Sequence, residues 1–364
     1  MNIDEARSLK VELEQWVSAL LKRRATPQAV AAPPNIAVGL HPRRDGGFDL
    51  ALRYQLGTPT ARMVARRAVE EVGPKLDVRH TGRIRPLAAT GPARPVPASR
   101  ARGGTDRERP LSPGISIAHI ELTAGTLGTF VTPRGGGPVH ALSAHHALVP
   151  PHLTRAAASG AAGETAALPT TADGHPCGSM ADLVVQPGPY DRGRVPADVI
   201  GRLARFAPLG GVDAALVTLD LDALRAQPGS DLVVDLAFPE GPVTATAPAL
   251  GDERVAKVGR TTALTHGRVS AIELDALFID YGEEIGEVSF DGQIEIESAD
   301  PGPFSLPGDS GALVYRTADQ VAIGLVFAGA PGTDGDAEAR ARLGLTYATP
   351  IDAVLDALGV DLAR

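Results

Sequence analysis

The 364 residues predict a mainly β protein behind a small α+β module, and three observations carry that reading. From Ile115 onwards roughly a dozen short apolar runs, among them Ile115–Ile120, Leu127–Val131, Val139–Ala144, Ala214–Leu219 and Ala312–Tyr315, are separated by Gly, Pro and Asp. Short strands at that spacing imply a β-sandwich or a pair of barrels. Helical spacing is confined to the N-terminal part and the C-terminal end. Between module and strands, Ala88–Pro113 is rich in Pro, Arg and Gly with almost no large apolar residue, which is linker composition. The expected boundaries are 1–90 for the module, 91–113 for the linker and 114–364 for the β domain.

Within the module, Asp4–Arg24 places Leu9, Leu13, Trp16 and Leu20 at spacings of three and four among charges. This is an amphipathic helix whose apolar stripe needs a surface to dock on. Ile36–Leu40 and Phe48–Leu56 read as strands joined through the turn Arg44-Asp45-Gly46-Gly47. Thr60–Val72 is helical, with Met63, Val64, Ala68 and Val69 on one face and Gly73-Pro74 as the stop. Leu76–Leu87 reads as one further strand. No phosphate-binding loop occurs, so the module is expected either to pack as an appendage or to read a regulatory partner.

The chemistry is carried by Leu306-Pro307-Gly308-Asp309-Ser310-Gly311-Ala312, a serine in a glycine-flanked turn ahead of an apolar strand. The glycines let the backbone bend so that the N–H groups of Gly308 and Ser310 converge on one point as an oxyanion hole. A serine hydroxyl is inert without a general base, and the base needs an orienting carboxylate. Leu142-Ser143-Ala144-His145-His146 offers a histidine pair after an apolar strand, and Val212-Asp213-Ala214 an aspartate at the head of another. Either histidine satisfies the chemistry, and Asp220 and Asp222 compete with Asp213. The chain order is His, Asp, Ser.

With these residues the chain resembles the trypsin/chymotrypsin-like serine peptidases, in their disulfide-poor bacterial and plant narrow-leaf-type branch. Gly308-Asp309-Ser310-Gly311 is similar to the nucleophile motif, and Leu142-Ser143-x-x-His146 to the Leu-Thr-Ala-Ala-His block, which selects His146 over His145. Asp213-Ala214-Ala215-Leu216 resembles Asp-Ile-Ala-Leu, and the resemblance, joined by Thr123–Gly128 and Val258–Val269, runs from about Gly114 to the C-terminus. It implies a double six-stranded β-barrel with a C-terminal helix, for which Thr349-Pro350-Ile351-Asp352 supplies a capped start. It further implies His146, Asp213 and Ser310 as catalytic residues and Gly308 and Ser310 as oxyanion donors. The floor of a substrate pocket falls at Phe304 and its wall at Phe327 to Gly329.

The function so implied is a serine endopeptidase that cuts a protein or peptide substrate through an acyl-enzyme, with no metal or organic cofactor. Its target is expected to be restricted and intracellular. The alternative is an inactive trypsin-like fold used as a protein-binding module. An apolar Phe304, where trypsin carries aspartate, points away from cleavage after Lys or Arg and towards a small or apolar residue. Zymogens of the family free an N-terminal amine to pair with the acid before the serine, here Asp309. The linker holds no Ile-Val-Gly-Gly start, so competence without that cut, or gating by another segment, is expected.

Composition narrows the setting. A net charge of −8 and a pI near 5.6 give no footprint for nucleic acid. No apolar run is long enough for a membrane span, and Met1–Glu5 is polar, without a secretory leader pattern. Cys177 is the only cysteine, which excludes an internal disulfide and suits a reducing, cytoplasmic compartment. The histidines show no zinc spacing. Val269–Pro303 holds ten acids and no Lys or Arg, read as solvated strand faces.

Overall fold

The computed structural model describes residues 1–23, 35–88, 104–158, 166–167, 182–227, 232–331 and 344–364. Cys177 and the arginines at 94, 100 and 102 lie outside them. In the N-terminal part, α1 (Ile3–Lys22) and α2 (Pro59–Val72) accompany β1 (Ile36–Pro42), β2 (Phe48–Tyr54), β3 (Leu76–His80) and β4 (Arg85–Pro86). Asn2 caps α1 and Thr58 caps α2, each side chain accepting a backbone N–H of the first turn. The helices bury the predicted apolar stripes: Ala6, Leu13, Val17, Val64 and Ala68 share a core with Val38, Leu50 and Leu52.

The first β unit comprises β5 (Ser116–His119), β6 (Gly125–Thr126), β7 (Thr129–Pro133), β8 (His140–Ser143), β9 (Ala166–Ala167), β10 (Leu183–Val185), β11 (Val199–Phe206) and β12 (Ala215–Leu219). Its sheet runs β7-β8-β12-β11-β10-β5 and curls around Ile117, Leu127, Phe130, Ile200, Leu203 and Val217. Helices α3 (His145–Leu148) and α4 (Pro151–Ala158) follow β8, and α5 (Leu221–Arg225) follows β12.

The second unit begins with the short β13 (Ala237–Phe238), β14 (Gly241–Pro242) and β15 (Ala245–Thr246). It continues through β16 (Arg254–Gly259), β17 (Ala263–Asp275), β18 (Leu277–Asp280), β19 (Glu287–Phe290), β20 (Gln293–Ser298), β21 (Leu313–Arg316), β22 (Val321–Ala330) and β23 (Leu345–Pro350). Six of these close on themselves in the order β16-β21-β22-β23-β20-β17, because β16 also pairs with β17. The fold is the expected double barrel. Helix α6 (Ile351–Leu358) and β24 (Val360–Leu362) end the chain, β24 returning to pair with β7 of the first unit.

Three elements depart from the sequence reading. The strand expected over Leu76–Leu87 is broken: Gly82, at φ +72°, turns the chain so that β3 stays parallel to β2 while β4 pairs with β22. The cap expected at Thr349 is absent, since its hydroxyl donates to Gln293 Oε1 at 2.9 Å and Pro350 stands at the cap position. The hairpin β18–β19 was hidden in the acid-rich segment.

That segment is only in part a solvated face: Glu283, Glu284 and Asp291 are exposed, but others of its acids are paired. Glu273 binds Arg7, Asp275 binds Lys10, Glu287 accepts from Asn35, Glu297 binds Arg79 and Arg268, and Glu295 is sealed against Arg53. Most of these partners belong to the N-terminal part, whose β1 runs antiparallel to β17 (Val38↔Asp275, Leu40↔Ile272) and so extends the second barrel's sheet. Arg53 and Glu295 are both fully buried and joined by two bonds of 2.7 and 2.8 Å, with Asp77 at 2.7 Å on the other side of the guanidinium. Arg107 and Arg109, within the stretch of linker composition, reach Asp198 and Gln227, while Leu111 is fully buried and bridges to Val234. No helix among the described residues is long and apolar enough to cross a membrane.

Candidate active site

Ser310 lies in the turn before β21, and four backbone ties hold that turn. Thr126 N–H donates to the Ser310 carbonyl at 2.7 Å, Thr126 Oγ1 to the Gly308 carbonyl at 2.8 Å, Gly311 N–H to Val326 at 2.7 Å, and Ala312 N–H to Asp309 at 3.0 Å. Gly308 and Gly311 have φ of +104° and +93°, which a side chain strains. A Cβ at Gly311 would also stand 2.2 Å from Ser143 Oγ.

Beneath the serine, Asp309 is fully buried. Its carboxylate accepts the N–H groups of Thr261 and Leu306 at 2.8 and 2.9 Å and faces the equally buried Lys257 ammonium at 3.3 Å. Burial lowers the Lys257 pKa and Asp309 only partly restores it. The cation opposite the acid before the serine is thus an internal lysine. Charge balance there does not wait for a newly cut amine.

His146 is the second residue of the short helix α3 and Asp213 precedes β12, which pairs with β8, so the two arrive side by side. His146 Nδ1 lies 2.7 Å from Asp213 Oδ2, and its backbone N–H donates to Asp213 Oδ1 at 3.2 Å. On the other edge of the ring, Nε2 lies 2.7 Å from Ser310 Oγ, which also stands 3.2 Å from the Phe327 carbonyl. One imidazole therefore spans the two barrels, between a carboxylate of the first and a hydroxyl of the second.

Asp213 is fully buried. Burial alone would raise its pKa, yet the charge and hydrogen bond of His146 outweigh that and hold it below the usual carboxylate range. Tyr281 adds a further donor, its hydroxyl 2.5 Å from Asp213 Oδ2, and burial pushes the Tyr281 phenol well above its ordinary value. Nothing in the sequence singled out Tyr281. Lys257 carried a signal, a lone cation inside the apolar run Val255-Ala256-Lys257-Val258.

Among solved structures the chain is similar to protease A of Thermobifida fusca, at 17% identity over 70% of this chain and 100% of that one, with a TM-score of 0.42. Nocardiopsis protease is 16% identical over 70% and 100% (TM-score 0.41), and Cellulomonas bogoriensis chymotrypsin 18% identical over 70% and 99% (TM-score 0.39). No protein-family model and no curated protein matches the chain.

The other residues singled out in the sequence have distinct places in the double barrel. His145, the competing histidine, faces away: Nδ1 donates to the Ala207 carbonyl at 2.9 Å and Nε2 accepts from Thr154 at 2.8 Å. Burial lowers its pKa to about 4, so it is neutral and spent on packing. Asp220 caps α5 and Asp222 pairs with Arg225, whereas the carboxylate on His146 is that of Asp213. Phe304 is buried in the second barrel with the Lys257 ammonium 5.6 Å from its ring centre. Phe327 turns its ring onto Phe290 and presents its carbonyl to the serine side. A Cβ on Gly329 would meet Leu87 Cδ2 at 3.0 Å. The Gly308 N–H points to the carbonyl oxygen of Leu87 at 2.6 Å. Among the described residues no group of His, Cys, Asp and Glu is arranged to hold a metal ion.

Proposed function

We propose that this chain is a serine endopeptidase in which Ser310 is the nucleophile, His146 the general base and acid, and Asp213 the group that fixes the imidazole. The observation that carries this reading is the imidazole held at 2.7 Å on both sides, by Asp213 Oδ2 and by Ser310 Oγ. Buried and ionised, Asp213 accepts the Nδ1 proton, which leaves the Nε2 lone pair facing the serine hydroxyl. As Oγ attacks an acyl carbon, Nε2 takes the proton and returns it to the leaving amine; water then releases the acyl group. Asp213 and the Tyr281 hydroxyl hold their arrangement while the imidazolium forms. The oxyanion falls to the N–H groups of Gly308 and Ser310, each donor worth roughly 3–4 kcal/mol.

Phe304, Phe327 and Gly329 bound the acyl-side pocket in this reading, and no anionic side chain among them would draw Lys or Arg. The lone Cys177 suits a reducing compartment, and a restricted protein target fits a chain with a docked N-terminal part. A fluorophosphonate probe is the test: the peptide containing Ser310 gains the adduct, and Ser310→Ala loses all labelling. Labelling that persists in Ser310→Ala, or is absent throughout, overturns the assignment. Labelled chain that leaves casein intact indicates a restricted target.

A further inference from the structure

The segment Ile84-Arg85-Pro86-Leu87 lies across the face where a substrate of this site would lie, and it binds there through its backbone. Arg85 and Pro86 pair antiparallel with Gly329 and Ala328 of β22. The Leu87 N–H donates to the Phe327 carbonyl at 3.0 Å, and the Leu87 carbonyl accepts the Gly308 N–H at 2.6 Å. An extended peptide that adds a strand to β22 and delivers one carbonyl to the nucleophile turn has the geometry of an acyl donor. Its side chains are housed as well. Leu87 is buried against Gly329 in the same apolar cluster as Phe304, and Ile84 is fully buried among Phe290, Phe327 and Tyr347.

The other edge of the segment is also held. Asp280 N–H donates to the Ile84 carbonyl at 3.0 Å, the Ile84 N–H donates to Gln55 Oε1 at 3.2 Å, and Arg83 meets Asp280 at 3.1 Å. The turn at Gly82 that redirects the chain from β3 to pair with β22 is what delivers Leu87, and Thr81 N–H ties the start of that turn to the Tyr54 carbonyl at 3.1 Å. The residue after Leu87 is Ala88, so the following bond is an ordinary secondary amide with a nitrogen that can leave as an amine.

We propose that the Leu87–Ala88 bond is this enzyme's own first substrate, cut in the same chain, with Ile84–Leu87 defining an acyl-side preference for leucine preceded by proline. The proposal rests on the serine-peptidase reading above. Ser310 Oγ bonds to the Leu87 carbonyl carbon while its proton passes to His146 Nε2. The Leu87–Ala88 C–N bond breaks as that proton moves to the Ala88 nitrogen, leaving Leu87 as an ester on Ser310. Water attacks the ester, gives its proton to His146, and releases Leu87 as a carboxylate with Ser310 restored. After the cut, residues 1–87 stay docked through β1–β17 and the Arg53–Glu295 pair as a product that occupies the cleft.

Intact-mass analysis and N-terminal sequencing of the purified full chain test this. The wild type yields two fragments, one ending at Leu87 and one starting at Ala88, at a rate independent of protein concentration, and Ser310→Ala stays whole. Leu87→Asp slows the cut roughly 100-fold or more, because a charge is refused by an apolar pocket. It also speeds fluorophosphonate labelling of Ser310 by freeing the cleft, a readout that a misfolded variant would not give. A wild-type chain that stays intact, or is cut only elsewhere, overturns the proposal. If that intact chain, or Leu87→Asp, still labels at Ser310, the peptidase reading stands without self-cleavage; if neither labels, both fall.

Discussion

Tyr281 shows how a single side chain conditions the site without touching a substrate. Its hydroxyl is the third group on the Asp213 carboxylate, after the His146 ring and the His146 backbone N–H. A hydrogen bond to a charged acceptor is worth about 1.5–3 kcal/mol, so Tyr281→Phe lowers kcat/KM about tenfold or more. KM changes little, since the phenol holds the base and not the peptide. The split between the two constants supplies the discriminating readout: kcat falls while KM holds. A loss carried by KM would contradict a positioning role. Asp309 is the second such case. Lys257→Met leaves its carboxylate buried opposite an apolar chain, and urea unfolding is expected to show a loss of about 3–5 kcal/mol, together with slower labelling of Ser310.

At the scale of elements, the turn before β21 and the histidine pair after β8 were legible in the sequence because their chemistry restricts the residues allowed. A serine between positive-φ glycines, and a histidine closing an apolar strand, leave few other readings. The N-terminal elements were legible by periodicity, but their destination was not. Whether the acids of 269–303 face water or the arginines of another element depends on β1 choosing β17 as its neighbour, a pairing that leaves no local trace. The same applies to Leu87, whose place in the cleft is set by a turn at Gly82 and a partner strand far along the chain. Tyr281 sits just after β18, within a run whose charges masked a hairpin. A prediction belongs to this scale. Arg53→Met strands the buried Glu295 carboxylate and costs about 3–5 kcal/mol of stability. It also loosens the tie that fixes β2 and β3 on the second barrel, so residues 1–87 become susceptible to an added protease earlier than residues 114–364.

For the whole molecule, three buried groups, His145, Glu295 and Asp213, push acid stability the same way. Burial lowers His145 to about 4, whereas the unfolded chain takes up that proton near the ordinary 6.5. Its contribution to stability is therefore constant above 6.5 and declines as the pH falls from there to about 4. Burial alone would raise Glu295 and Asp213, but Arg53 and His146 respectively hold them below their ordinary values. Their stabilisation is complete above the ordinary carboxylate range and is lost as the pH drops through it. Urea midpoints are thus expected to be level from pH 8 to 6.5, to decline towards 4, and to collapse below it. In His145→Gln the decline between 6.5 and 4 is shallower, with His140, which burial also lowers, supplying the remainder. The two barrels and the docked N-terminal part together serve one end, which is to hold an imidazole between a carboxylate on one barrel and a hydroxyl on the other. The most direct measurement of that claim is turnover of a chromogenic peptide ending in Pro-Leu by the Leu87→Asp chain, whose cleft is free, and by the same chain carrying His146→Ala. The account predicts a loss of about 10⁴-fold or more in kcat. A His146→Ala enzyme within about tenfold of its Leu87→Asp parent would contradict it.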